Sequence, residues 1–255
     1  MLKRKYLSFK RSFLPRFFTS KNMISLLMID GIKIGLNTEF YDASSIIIDS
    51  TRPELIEIGS YCKITHGTTI LTHDYSRSVL RRVYGQIIAE ASKTIIGDNV
   101  FIGINSIILM GTKISDNTII GAGSVVSGSF PENVVLSGNP AKIIMTLEEF
   151  HEKRLIKSKN EACNFYLYFI EYHKRKPSIH EMGHFFTLFL NRSKESLKSN
   201  NISLKLGGDD EQDILDKFLG STPEFVDYEH FCEFCTDIYN QKENEKEQLK
   251  RKIIK

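Results

Sequence analysis

The sequence predicts a mainly β protein with added α: a β-solenoid followed by an α-helical C-terminal region. Three observations carry this. From Ile96 an aliphatic residue returns at every sixth position: Ile96, Ile102, Ile108, Ile114, Ile120, Val126. A small or β-branched residue stands two before each (Thr94, Val100, Ser106, Thr112, Thr118, Ser124), and Asn, Gly or Ser stands three after (Asn99, Asn105, Gly111, Asn117, Gly123, Ser129). Beyond residue 145 the composition turns to charged, helix-forming stretches. A sixfold repeat matches neither an amphipathic helix nor an alternating strand. It suits a solenoid, where each rung buries one residue on the next and each corner needs a residue that tolerates left-handed angles.

The elements follow in order. Residues 1–31 form a basic, aromatic N-terminal segment. Within it, residues 1–21 hold seven basic residues and no acidic one, interleaved with Phe9, Phe13, Phe17 and Phe18. Such a segment suits peripheral contact with the inner, anionic face of a membrane; the more ordinary reading is a helix packed on its own protein with a solvated basic face, since charge runs are usually surface decoration. The solenoid domain is expected over 32–145, with Phe40, Ile46, Ile58, Ile64 and Ile70 in phase. The beat stops at Ile70 and resumes at Ile96, so 74–93 reads as a loop extruded from the wall, and long loops in compact domains are usually functional. The α-helical region covers 146–255. In it, Ser178-x-x-Glu181 reads as a capping box opening a helix to about Leu190. A polar linker with Gly207-Gly208 spans 193–210, and a charged tail ends the chain.

Bulk properties exclude some classes. At 255 residues with 41% apolar content the chain can bury a sizeable core. A net charge of +3 makes no case for nucleic acid. Four cysteines are too few for a disulfide framework. The apolar run Met23 to Ile29 is too short to cross a bilayer and precedes no small-residue cleavage site, so a cytoplasmic protein is expected.

His73 sits three after Ile70, at a corner and immediately before the loop. An exposed imidazole there is placed as a general base, although position alone favours an ordinary surface histidine. His66, one corner earlier, is a candidate for the acceptor pocket, as are Asp74, Tyr75, Arg77 and Tyr84 in the loop; Arg81 and Arg82 add charge. Asp74, Glu90 or a backbone carbonyl could orient the imidazole.

The segment Ile58-Gly-Ser-Tyr…His66-Gly-Thr-Thr-Ile-Leu-Thr-His73-Asp74-Tyr75-Ser76, the repeats Ile96-Gly-Asp-Asn-Val-Phe-Ile-Gly103 and Ile120-Gly-Ala-Gly-Ser-Val-Val126, and Gly138-Asn-Pro-Ala-Lys142 resemble the hexapeptide-repeat acyltransferases. Within them the chain is similar to the maltose/galactoside and capsule or lipopolysaccharide O-acetyltransferase branch. The resemblance covers about 58–145. It implies a left-handed parallel β-helix, a homotrimer with sites between subunits, and acetyl-CoA in the groove between them. It implies His73 as catalytic base, and Gly103, Gly121, Ala122, Gly123, Ser127 and Lys142 along the cofactor. Ile104 departs from the small polar residue often found at its position.

Two motifs look like decoys. His180-Glu-Met-Gly-His184 spells a zinc-protease motif, but it lies in a capped first turn with no third ligand in view. Cys232-x-x-Cys235 lies on a helical apolar stripe and reads as core. The expected function is acetyl transfer to a sugar hydroxyl in surface-polysaccharide biosynthesis, without a metal. Antibiotic or amino-sugar acetylation at the same site is the alternative within the class. A γ-carbonic-anhydrase-like metal enzyme and a non-catalytic scaffold are the alternatives outside it.

Overall fold

The computed structural model describes residues 2–204 and 209–253, with side chains through 241. Gly207 and Gly208, and the side chains of the charged tail, lie outside the described residues. The chain divides into two compact units, Met1–Phe150 and His151–Lys255.

The first unit is a three-sided parallel β-helix. Its first sheet stacks Lys33–Ile34, Ile56–Ile58, Thr94–Ile96, Lys113–Ile114 and Ser129–Phe130. The second stacks Glu39–Phe40, Lys63–Ile64, Phe101–Ile102, Ile119–Ile120 and Val134–Gly138; Ala141–Thr146 then closes it as an antiparallel strand. The third holds Ile47–Ile48, Thr69–Ile70, Ile107–Ile108 and Val125–Val126. Each strand pairs in parallel with the strand three further along, so one coil of three strands makes one layer.

The hexad explains this architecture residue by residue. The six aliphatic positions from Ile96 to Val126 are 2% exposed or less and fill the axis. The hydroxyls two positions before them are buried and close the corners: Ser106 Oγ donates to the Gly103 carbonyl at 2.8 Å, Thr112 Oγ1 to Leu109 at 2.6 Å, and Thr118 Oγ1 to Ser115 at 2.8 Å. A small hydroxyl side chain is thus selected because a corner carbonyl inside the wall must be satisfied. Asn99, Asn105 and Asn117 take φ of 54°, 57° and 54° at corners. Asn99 also donates to Asn117 one coil on, at 2.8 Å.

Three details differ from the sequence reading. Ile48, not Ile46, pairs with Ile70, because the turn over residues 41–45 adds two residues; Ile46 is buried all the same. The last corner uses Gly128, φ 103°, instead of Ser129, which opens a strand. The N-terminal segment is not separate: helices α1 (Leu2–Phe13) and α2 (Ser20–Asp30) send Leu7, Met23, Leu26 and Leu27 into the solenoid's core, and Phe18 joins them from the turn between.

Helix α3 (Arg77–Tyr84) stands in the loop between the third and first sheets, with no buried residue. The C-terminal unit contains α4 (Leu147–His173, which starts in the first unit), α5 (Lys194–Ser199), α6 (Glu211–Gly220) and α7 (Tyr228–Ile253). Its core gathers Tyr166, Phe186, Phe189, Phe225 and Phe231. Phe186 and Phe189 are buried inside this unit, while Tyr168 is exposed. Cys163, Cys232 and Cys235 are buried in the same core. Ser178 and Glu181 do form reciprocal hydrogen bonds, yet a 3-10 stretch, Gly183–Leu188, follows instead of an α-helix. Gly183, φ 55°, breaks the turn between His180 and His184, so the shared α-helical face needed for zinc is not formed. Among the described residues no group of three or more His, Cys, Asp or Glu side chains is placed to hold a metal ion.

Candidate active site

His73 leaves the third sheet where the wall opens into the loop. Its Nδ1 lies 2.6 Å from Asp49 Oδ2, and both side chains are largely buried. Asp49 follows Ile48, so it sits one coil below His73 at the same edge. Its Oδ1 accepts from the Thr51 backbone N–H at 3.1 Å and the Thr51 hydroxyl at 2.6 Å. Its Oδ2 also accepts from the Thr72 backbone and hydroxyl. Burial works against ionisation here, but the donors on Thr51, Thr72 and His73 outweigh it and hold the carboxyl well below the usual carboxylate range. An ionised carboxylate only accepts, so Nδ1 carries the proton. In the neutral ring the lone pair is then on Nε2. Sequence reasoning missed Asp49 because it looked beside His73. The available signal was an Asp-Ser-Thr turn one coil back.

The loop adds an aromatic-cationic stack. Tyr75 meets His73 edge-on at 5.8 Å between centroids, and the Arg77 guanidinium lies 5.3 Å from the Tyr75 ring centre. Asp74 does not orient His73. It accepts from the Ser76 backbone and hydroxyl, at 2.8 and 2.7 Å, and the Ser76 hydroxyl also reaches Glu90 at 3.3 Å. Glu90 and Ser76 hold Asp74 at about 2, and Glu90 is raised in turn. The Glu90 carbonyl accepts from Arg52 at 3.2 Å, tying the loop's return to the wall. Tyr84 is exposed at the end of α3.

The remaining candidates divide between two edges. Ser127 follows the third sheet, on the edge of Asp49 and His73. His66, Ile104 and Ala122 occupy equivalent positions in successive coils after the second sheet. His66 Nδ1 lies 2.6 Å from Asp42 Oδ2, with both side chains exposed. Lys142 pairs with Ser137 on the closing strand of that same sheet and is exposed. Gly103 is a packing position: it is buried, and a Cβ there would meet the Ala122 backbone N at 2.6 Å. Gly123 is different, with φ 69° and nothing within 4 Å of a Cβ. The exposed residues Ala122 and Gly123, with half-buried Gly121 before them and a cation beyond, make a surface that suits a narrow chain ending in phosphates.

The family model for the hexapeptide repeat of succinyl-transferase matches residues 93–127. A putative acetyltransferase of Bacillus subtilis, YvoF, is 39% identical over 122 residues, covering 48% of this chain and 64% of its own length. Protein CapG of Staphylococcus aureus is 42% identical over 125 residues, 49% of this chain and 72% of CapG. The putative lipopolysaccharide biosynthesis O-acetyl transferase WbbJ of Escherichia coli is 47% identical over 66 residues, 26% of this chain and 33% of WbbJ. The chain thus spans under two thirds of YvoF and a third of WbbJ. With its three-sheet coil, its hexads and the match over 72% of CapG, the chain belongs to the hexapeptide-repeat acyltransferase family.

Proposed function

We propose that the protein transfers an acetyl group from acetyl-CoA to a sugar hydroxyl, in the assembly of a surface polysaccharide, with His73 as general base. The observation that carries this reading is the Asp49–His73 pair at the mouth of the loop. Acetyl-CoA supplies an activated acetyl thioester. Everything else falls to the chain. Nε2 takes the hydroxyl proton as that oxygen attacks the acetyl carbon, a role worth ~10²–10⁴-fold. Asp49 stabilises the imidazolium so formed and fixes the ring's tautomer. The protonated Nε2 then returns the proton to the departing sulfur. Tyr75 and Arg77 offer a ring face and donors suited to a sugar acceptor. The polysaccharide assignment draws on WbbJ, named for lipopolysaccharide biosynthesis.

The working unit in this reading is a homotrimer. His73 and the Ala122–Lys142 groove lie on different edges, separated by the third sheet. A site that uses both needs a neighbouring copy. The outer face of the third sheet suits that contact, since Ile47 and Ile107 are exposed there. The outer face of the first sheet carries Lys33, Glu57 and Lys113 instead. The test is thiol release from acetyl-CoA across a panel of sugar acceptors. Release that needs both a sugar and His73 supports the reading; release that persists in His73→Ala refutes it.

A further inference from the structure

Helix α1 carries a second surface that acyl transfer does not use. Leu2, Tyr6, Phe9 and Phe13 are spaced by four, three and four residues, which on a helix aligns them in one stripe. All four are exposed, at 86%, 60%, 53% and 71%. The Phe9 and Phe13 rings stack at 4.8 Å, and Phe17, just past the helix, is 62% exposed. The opposite side of α1 is fixed to the solenoid. Leu7 is buried in its core, Arg4 pairs with Asp30, and Arg11 donates to the Ile46 carbonyl. Lys10 is tied to Asn22 at 2.9 Å. With these anchors in place the stripe cannot turn inward. Lys3 and Lys5 flank it, and Arg16 and Lys21 follow, all exposed. The first acidic residue is Asp30, already paired with Arg4.

We propose that α1 and the Pro15–Phe17 turn dock the protein on an anionic lipid bilayer, the helix lying in the surface plane. An exposed aromatic stripe between cations matches the two layers such a surface offers, acyl chains beneath and phosphates above. No helix among the described residues is long and apolar enough to cross a membrane, so the contact is peripheral. A second copy of the chain is a poorer occupant. Stripe-to-stripe pairing would set the Lys3 and Lys5 amines of both copies together, with no carboxylate on either α1 to balance them. Charge complementarity therefore selects a negatively charged partner surface.

The experiment is flotation of the full chain with vesicles of phosphatidylcholine, with and without phosphatidylglycerol. The wild type is expected to float with the anionic vesicles and to remain behind with the neutral ones. Phe9→Ser/Phe13→Ser and Lys3→Glu/Lys5→Glu should each weaken flotation by at least about tenfold. Both pairs are exposed, so thermal melting should be unchanged, which separates lost docking from lost folding. Failure of the wild type to float, equal floating on neutral vesicles, or unaltered floating of both variants overturns the proposal. So does a concentration-dependent rise in mass that Phe9→Ser/Phe13→Ser abolishes while vesicles are ignored, because the stripe would then be a self-association face.

Discussion

Asp49 Oδ2 and His73 Nδ1 lie 2.6 Å apart although 24 positions separate the two residues in the chain. They meet because one coil of the solenoid returns the backbone to the same edge.

This pair predicts a kinetic signature. Asp49→Asn can donate as well as accept, so it no longer dictates which ring nitrogen bears the proton. Turnover should fall by ~10²–10⁴-fold with KM little changed, the pattern expected of a residue that positions His73 in the proposed reaction. His73→Ala should fall as far, and the double variant no further. Additive losses in a double-mutant cycle would show that the two side chains act separately.

The same pair predicts a pH dependence of stability. The Asp49 carboxyl is held below its ordinary value in the folded state. A depressed carboxylate stabilises the fold above its unfolded value, about 3.9, and that contribution is lost as pH falls through the folded value. Wild type should therefore melt above Asp49→Asn from about pH 5 upward. The margin should shrink below about pH 4. A margin that widens in acid would reverse the sign of the linkage.

How much of this was legible beforehand depends on where the information lies in the chain. Ile102 and Thr118 announce their places because a solenoid repeats one local environment, so a six-residue pattern fixes side-chain direction without long-range contacts. His73 was visible as the residue where that pattern stops. Asp49 was not, because the corner at Pro53–Leu55 lengthens the path from Ile48 to Ile58, so the three hexads of one ordinary coil counted back from His73 land on Leu55 instead. The separation of His66 from His73 onto two edges was hidden for a related reason: seven residues apart in sequence, they flank a whole strand, Thr69–Ile70. In the C-terminal unit no repeat exists. Gly183 adopts a left-handed φ that its motif does not reveal, and the expected helix there gave way to a 3-10 turn.

The apolar outer face of the third sheet predicts the assembly. Ile107 is partly exposed in the isolated chain and points away from the axis, opposite in direction to Ile108. Ile107→Glu should leave the fold intact by circular dichroism yet yield monomers by light scattering, since an unpaired carboxylate would be buried in the trimer contact. Activity should fall with the trimer. A fully trimeric Ile107→Glu protein would place the subunit contact on another face.

Lys142 predicts the cofactor's polar end. It is exposed on the strand that closes the second sheet, beside the column ending in Gly121-Ala122-Gly123. Lys142→Glu should weaken CoA binding by calorimetry by about tenfold or more, because a phosphate contact is replaced by repulsion. Desphospho-CoA, lacking the ribose phosphate, should distinguish which phosphate is involved by losing less on substitution. Equal affinity of wild type and variant for both compounds would remove Lys142 from the groove.

The axis of the solenoid predicts where stability resides. Ile102 is fully buried between Ile64 in the coil below and Ile120 in the coil above. Ile102→Ala leaves a cavity that cannot collapse, because the strands on either side are held in register by parallel pairing along three sheets. The cost should be about 2–5 kcal/mol in denaturant unfolding of the first unit. Lys113→Ala, on the outer face of the first sheet, should change it by less than about 0.5 kcal/mol. Ile102→Val, which keeps the branch and loses one methyl, should fall between, at about 0.5–1.5 kcal/mol. The ordering Ala, Val, Lys113→Ala is the discriminating result: equal losses at Ile102 and Lys113 would mean that the aliphatic column is not the element on which the coil depends.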